Sequence, residues 1–436
     1  MSRQILAKSK LAINGGTPIR TKLFPAYNTI GEEEKVAVNK VLDKGNLSQF
    51  LGGWHKDFFG GPTVQEFEKE WSKVFNVSHS ITVNSNTSGL FTAIAACGIK
   101  PGDEVIVSPY TMSASAIAPL IYGAVPVFAD IDTDNFGLSP ESVESKITHR
   151  TKAILVVHIF GNPAKMDEIM SIAKKYNLFV IEDCAQAPLS KYKDKYVGTI
   201  GDIGVFSLNY HKHIHTGEGG VLITNNEVLA QKIQLIRNHA ENSVHAMGFE
   251  NEMNLFGFNY RMTEIEAAIG IEQLKKLPHL VEERIKNANY FAEKIGQIPG
   301  IKAPLIEPYS KHVYYKQPFK FDKNIIGVHR NKFIEAIKAE IPSAILREDT
   351  PLIESGYVKP LYLLPIFQNR TVHCAFNCSK YKGEINYNLG ICPNVEKLHF
   401  EELFSHEYIR PGMSKNDMNE VISAFYKVVE NIDELR

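Results

Sequence analysis

The sequence predicts an α/β fold: a mostly parallel central sheet flanked by helices, followed by a smaller C-terminal α/β domain. Three observations carry this. From about residue 80, short apolar runs alternate with amphipathic stretches of helical spacing. Several of the runs are apolar on both faces, as strands covered by helices on two sides must be. After about residue 230 the texture changes to longer helices, then to short strands mixed with helices.

Residues 1–60 are glycine-rich and irregular, with a Gly15-Gly16-Thr17-Pro18 turn and the pairs Gly52-Gly53 and Gly60-Gly61, and they read as an arm or lid. Ser80–Asn84 is a strand, and Asn86–Cys97 a helix with Leu90, Ala93, Ile94 and Cys97 on one face. The turn Pro101-Gly102-Asp103 leads into the strand Glu104–Ser108. Ser113–Tyr122 is an apolar helix, Val125–Ala129 a strand and Pro140–Ile147 a short helix. Ala153–His158 is the most continuous apolar strand, followed by the amphipathic helix Lys165–Tyr176 and the strand Leu178–Ile181. Shorter strands are expected at Ile203–Ser207 and Gly220–Thr224. Helices follow at Leu229–His239, Thr263–Leu277 and Pro278–Gln297, the last ending at the Pro299-Gly300 break. This makes residues 61–290 a large domain and 291–436 a small one, with a strand at Val313–Phe321 and helices at His329–Glu340 and Lys415–Asn431.

A chain of 436 residues with 44% hydrophobic residues can build a sizeable core. Its net charge of −1 argues against non-specific nucleic-acid binding and against a polybasic membrane anchor. The five cysteines are scattered, and Cys374 and Cys378 lack the second pair or histidine partner of a zinc site. Reduced thiols, the absence of an apolar stretch in the opening MSRQILAKSKLAING and the lack of a membrane-length apolar run point to a cytoplasmic protein.

Three local sequences stand at the carboxyl ends of strands, where ligands gather in open parallel sheets. Asn84-Ser85-Asn86-Thr87-Ser88-Gly89 opens a helix; it is either an N-cap by Ser85 or Asn86, or a phosphate cradle of backbone N–H groups and hydroxyls. Glu182-Asp183-Cys184-Ala185-Gln186 puts two acids at the end of a buried strand; a carboxylate there either caps the next segment or holds a protonated ring nitrogen. The third runs from Phe206 to Gly220. In it Lys212, followed by Gly217, Gly219 and Gly220, is either a surface lysine in a glycine-rich loop or a Schiff-base nucleophile for a carbonyl cofactor. His211, His213 and His215 alternate around it, but no acidic or cysteine partner gives them metal-ligand spacing, so no metal is expected.

The order of these pieces resembles the DegT/DnrJ/EryC1/StrS family of sugar aminotransferases, a branch of the fold-type I pyridoxal phosphate enzymes. The resemblance runs from about residue 13 to the C-terminus. It includes the Gly15–Pro18 phrase, Gly61–Phe67, Pro101–Val105, Val127–Asp132 and Gly257–Thr263. It implies that Lys212 binds pyridoxal 5'-phosphate and shuttles the proton, and that Asp183 pairs with the pyridinium nitrogen. It implies further that Gln186 lies near the phenolic oxygen and that Asn86, Thr87, Ser88 and Ser207 surround the phosphate. Asn259 would reach the phosphate of a neighbouring subunit, making a homodimer the catalytic unit. A dehydratase branch carries His in place of the lysine. Here Lys212 lies five residues after Ser207 and five before Gly217, the register of the aminotransferases.

Two departures stand out. Met112 occupies the position of the usual aromatic that stacks on the pyridine ring, so that either its thioether packs there or Tyr110 turns in. Pro188 replaces a small or polar residue. The implied reaction moves an amino group from an amino acid, L-glutamate or L-glutamine, to a keto sugar, passing through pyridoxamine 5'-phosphate. Tyr210, His211, His213, Arg261, His312 and Tyr314 are candidate substrate contacts. The alternatives are a cofactor-dependent deoxysugar dehydratase and a non-catalytic cofactor-binding regulator.

Overall fold

The computed structural model describes residues 10–240, 256–344, 351–370, 374–377 and 379–436. The first nine residues of the N-terminal stretch and the Cys374/Cys378 pairing lie outside the described residues.

The first strands are β1 (His79–Val83), β2 (Glu104–Val107), β3 (Val125–Phe128), β4 (Thr151–Val157) and β5 (Phe179–Asp183). The ribbon strands β6 (Lys191–Tyr192) and β7 (Lys195–Tyr196) precede β8 (Ile203–Ser207) and β9 (Gly220–Thr224). Seven of these form one sheet in the order β1-β9-β8-β5-β4-β2-β3. All its neighbours are parallel except at β9, which runs antiparallel to both β1 and β8. The parallel strands β2 and β4 are buried almost throughout, as two-sided cover requires.

Eight helices lead to and surround this sheet: α1 (Glu32–Lys44), α2 (Pro62–Phe75), α3 (Asn86–Ala96), α4 (Ala114–Ile121), α5 (Pro140–Ser145), α6 (Met166–Tyr176), α7 (Glu227–Arg237) and α8 (Glu264–Ile295). One apolar cluster packs α3, α4 and α7 on one face of the sheet. A second packs α2, α6 and the first half of α8 on the other. Further on come β10 (Ile301–Lys302), β11 (Ser310–Lys311), β12 (Gln317–Phe321), β13 (Ile353–Ser355) and β14 (Leu403–His406). β10, β12, β14 and β13 form a four-stranded antiparallel sheet, and β11 pairs with β6. The helices Arg330–Glu340 and Lys415–Glu430 cover it in a third cluster, which Leu11 and Phe24 also enter. Leu361, Tyr362, Phe367, Tyr387, Val395 and Leu398 are instead buried in the first cluster.

Three expectations differ from the structure. The irregular first sixty residues contain α1, which starts with three glutamates favourable to the helix dipole and ends at Gly45 in the left-handed conformation. The two helices expected on either side of Pro278 are one helix of 32 residues. Proline removes one backbone bond there, but Leu274, Leu277 and Val281 are buried around it, and that packing holds the helix together. The strand expected over Val313–Phe321 is regular only from Gln317. No helix among the described residues is long and apolar enough to cross a membrane.

Candidate active site

A cavity of about 250 Å³ opens at the carboxyl edge of the seven-stranded sheet. It lies where the ends of β1, β4, β5 and β8 face the start of β9. The topology thereby brings together Asn86, Thr87, Met112, Asp183, Gln186, Ser207, His211 and Lys212, all eight of which line it.

The first segment resolves into a cap and a cradle. Ser85 is the N-cap of α3, its hydroxyl accepting from the Ser88 N–H at 3.1 Å. Gly89 N–H bonds to Ser85 O at 3.0 Å. The N–H groups of Asn86 and Thr87, the first two of the helix, have no acceptor within it, and both residues line the cavity at the positive end of the helix dipole. Gly220 permits this arrangement: a Cβ there would stand 2.6 Å from the Ser85 carbonyl carbon. Ser88 does not line the cavity, its hydroxyl being engaged by Ser85 Oγ at 2.5 Å and by Asn84 Oδ1.

The two acids at the end of β5 divide their work because successive strand residues face opposite sides of the sheet. Glu182 turns away from the cavity. It accepts from Gly198, Ile200 and Gly201 N–H groups at 2.7, 2.8 and 2.6 Å and from His158 Nε2 at 2.9 Å. His158 Nδ1 in turn accepts from Ala164 N–H at 3.1 Å. His158, Glu182 and Cys184 lie close enough to hold a metal ion, but these bonds engage both imidazole nitrogens and both carboxylate oxygens, so the group buttresses the sheet edge. Asp183 faces the cavity. It accepts from Ser115 Oγ at 2.9 Å and Ala185 N–H at 3.1 Å, and burial pushes its carboxyl up against those bonds and the nearby Lys212 and His158. A buried carboxylate with two neutral donors and room in front of it calls for a cation.

Lys212 comes from the turn between β8 and β9. It is buried, makes no salt bridge among the described residues, and places Nζ 4.3 Å from the centre of the Tyr315 ring. Burial lowers its pKa from 10.5 to about 8; Lys316 adds to this, and Asp183 and Glu407 oppose it. Burial disfavours the ammonium, so the neutral amine becomes the main form above about pH 8. In the cofactor-free protein, acylation of Lys212 by a small amine-reactive ester is expected to rise with a midpoint near pH 8, as read by peptide mass spectrometry. A midpoint at the ordinary lysine value of 10.5 would contradict this.

The other expected contacts are distributed differently. Gln186 Oε1 accepts from Phe160 N–H at 2.7 Å, and its Nε2 donates to Tyr357 Oη at 2.9 Å. It thus also pins Phe160, a buried residue in the left-handed region at φ 58°. Met112 is 56% exposed on the cavity rim, while Tyr110 is fully buried against His399 and Tyr357 and does not turn in. The residues from Leu208 to Gly219 are turns rather than a strand, so the three histidines do not share a face. His211 lines the cavity, where burial lowers its pKa to about 4. His213 is fully buried behind it, bonded through Nε2 to Val313 O at 2.9 Å. Tyr210, Asn259, Arg261, His312 and Tyr314 are not among the cavity-lining residues. His312 and Tyr314 are buried and stacked on each other at 3.8 Å. Asn259 Oδ1 accepts from Arg261 Nε at 2.8 Å on the surface.

Sequence reasoning passed over Tyr315, Tyr357, Thr111, Asn209 and Glu218, which also line the cavity. Asn209 donates to both oxygens of Glu218, at 2.9 and 3.0 Å, and its own buried Oδ1 has no partner among the described residues. Asn209 and Glu218 lie within the glycine-rich loop and had that signal. Tyr315 and Tyr357 had none, because more than a hundred residues separate each from Lys212.

The donor set fits pyridoxal 5'-phosphate: a helix start for the phosphate, a buried carboxylate for the ring nitrogen, and a lysine of lowered pKa for the carbonyl. A model of the DegT/DnrJ/EryC1/StrS aminotransferase family matches residues 28–425. The chain is 34% identical over 410 residues to the spore coat polysaccharide biosynthesis protein SpsC of Bacillus subtilis (strain 168), covering 93% of this chain and 96% of that one. It is 38% identical over 278 residues to the GDP-perosamine synthase of Escherichia coli O157:H7, covering 64% of this chain and 72% of that one. Among solved structures, an aminotransferase from Psychrobacter cryohalolentis superposes with a TM-score of 0.79 at 29% identity, over 94% of this chain and 100% of that one.

Proposed function

Because this chain belongs to the DegT/DnrJ/EryC1/StrS aminotransferase family, we propose that it moves an amino group from L-glutamate or L-glutamine to a nucleotide-linked keto sugar, with pyridoxal 5'-phosphate as cofactor. The observation that carries the reading is the meeting of Lys212, its pKa lowered to about 8, with the buried Asp183 in one cavity at the sheet's carboxyl edge. The relatives named for perosamine and for coat polysaccharide favour a sugar as acceptor.

The cofactor, when bound, supplies an electron-withdrawing ring conjugated to the substrate nitrogen. The Asn86 and Thr87 N–H groups, with the Thr87 and Ser207 hydroxyls, would hold its phosphate. Asp183 keeps the ring nitrogen protonated, which also relieves the cost of burying a lone carboxylate. Lys212 would hold the cofactor through its carbonyl carbon, and as a neutral amine its Nζ would take up and return the proton that the reaction moves. Tyr315 walls off the amine from water. Asn259, exposed and outside its own cavity, reaches the phosphate of a second copy, so the working unit is a homodimer.

The test supplies a panel of nucleotide-linked keto sugars with glutamate and follows 2-oxoglutarate release. Release with one or more sugars supports the reading. Activity on a cyclitol ketone alone would move the substrate class, and a deoxy product formed without amino transfer would replace transamination by dehydration.

A further inference from the structure

The first described residues form a strap that is pinned at both ends. At one end it joins the helices of the third cluster. The Ala12 and Ile19 N–H groups donate to the two oxygens of Glu340, at 2.8 and 3.1 Å. The buried Lys427 ammonium donates to Glu340 Oε2 at 2.8 Å and Thr17 O at 2.7 Å. Arg20 pairs with Asp417 at 2.7 Å, and Phe24 is fully buried against Tyr408.

At the other end the strap reaches the two backbone segments that hold Lys212. Tyr27 Oη donates to the carbonyl oxygen of His213, the residue after Lys212, at 2.6 Å. The Arg284 guanidinium lies 4.9 Å from the centre of the Tyr27 ring and donates to Tyr314 O and Tyr315 O, each at 3.2 Å. Tyr315 carries the ring against which the Lys212 ammonium rests. The His213 imidazole closes the circuit through Val313 O. One phenol therefore touches the support of the lysine turn directly and the support of Tyr315 through Arg284.

We propose that Tyr27 is a positioning residue: through the His213 carbonyl it holds the Lys212 turn in register against Tyr315, with the strap as its anchor. Within the turn the Lys212 N–H bonds Asn209 O at 2.9 Å and the Thr216 N–H bonds Leu208 O at 3.0 Å, and His213 bonds Val313 O; the Tyr27 hydroxyl adds the bond that ties the turn to the strap. A turn free to shift by an ångström would move the amine from its place and admit water beside it. This deepens the reading of Lys212 as the cofactor-bearing amine, but its geometry does not depend on which sugar is used.

The experiment compares Tyr27→Phe with the parent as full-length protein. The ring over Arg284 is kept and one hydroxyl is lost, so the fold should persist with an unchanged melting temperature. In the cofactor-free protein the pH midpoint of Lys212 acylation should rise by about one unit toward that of a solvated lysine. Burial sets this midpoint in the parent, and the charged groups that modify it, Asp183, Glu407 and Lys316, are untouched by the substitution, so a moved midpoint reports a change in the burial of the amine. Hydrogen exchange at residues 212–214 should quicken, and in the loaded enzyme kcat should fall about tenfold with KM for the amino donor little changed. A midpoint and exchange rates that coincide with the parent's would overturn the proposal, as would a lowered melting temperature with an unmoved midpoint, the mark of a merely structural bond. The acylation and exchange readouts need neither cofactor nor substrate, so failure of the sugar assignment would leave them standing.

Discussion

Lys212→Ala is expected to abolish turnover, with a loss on the order of 10⁴-fold, the upper range for removing a positioned acid–base group. It should also remove the visible absorbance of a lysine-bound cofactor. On the proposed reading one amine has two tasks, holding the cofactor and moving a proton, and both need it neutral. The structure meets that need by burying the amine against Tyr315 with no carboxylate bonded to it, which brings its pKa to about 8. Lys212→Arg should be as inactive as the alanine variant, because a guanidinium keeps its proton at any working pH. Retained turnover in either variant, measured by 2-oxoglutarate release, would sink the assignment. His211 is not a substitute: burial holds its pKa near 4, and it stands beside the lysine on the cavity wall.

Asp183→Asn is expected to lower kcat by about 10²- to 10⁴-fold, the loss of one partner of a buried ion pair costing about 3–5 kcal/mol. The same substitution should act in the opposite direction on the cofactor-free protein. There the carboxyl is raised above its ordinary 3.8, mainly by burial. A raised carboxyl binds its proton better in the folded state, so the stability it contributes is present at acid pH and is lost as pH rises through the raised value. At neutral pH the cofactor-free parent thus carries a buried charge that its two hydrogen bonds and the nearby Lys212 do not fully offset, and the asparagine variant carries no such charge. The variant should melt no lower than the parent near pH 7, with the difference shrinking toward about pH 4. A variant that melts lower throughout that range would show that the carboxylate stabilises the empty site.

Some of the site was legible because chemistry there demands local pattern. Lys212 could be picked out through the family resemblance, whose pattern sets the lysine five residues after Ser207 and five before Gly217; the local sequence alone left it equally a surface lysine in a glycine-rich loop. The strand alternation that turns Glu182 inward and Asp183 toward the cavity was also available, because side chains of neighbouring strand residues must point opposite ways. Helix α1 could have been found from Glu32, Glu33 and Glu34 at its start and Gly45 at its end; the surrounding glycine pairs masked it. His213, an expected substrate contact, lies fully buried with Nε2 bonded to Val313 O, a contact between segments a hundred residues apart that no local spacing shows.

The sequence by itself determined the β-α alternation, hence a mostly parallel sheet, and the residues at its carboxyl edge: Asn86, Thr87, Asp183, Ser207 and Lys212. Those follow from short-range periodicity and from turns whose residues are neighbours in the chain. Only the tertiary structure decided what surrounds Lys212. Tyr315 lies against its ammonium, Tyr357 bonds Gln186, and Tyr27 bonds the carbonyl beside it. These contacts join segments that lie far apart in the chain, and what selects them is the packing of the four-stranded sheet and the N-terminal strap against the large one. No local spacing encodes that packing.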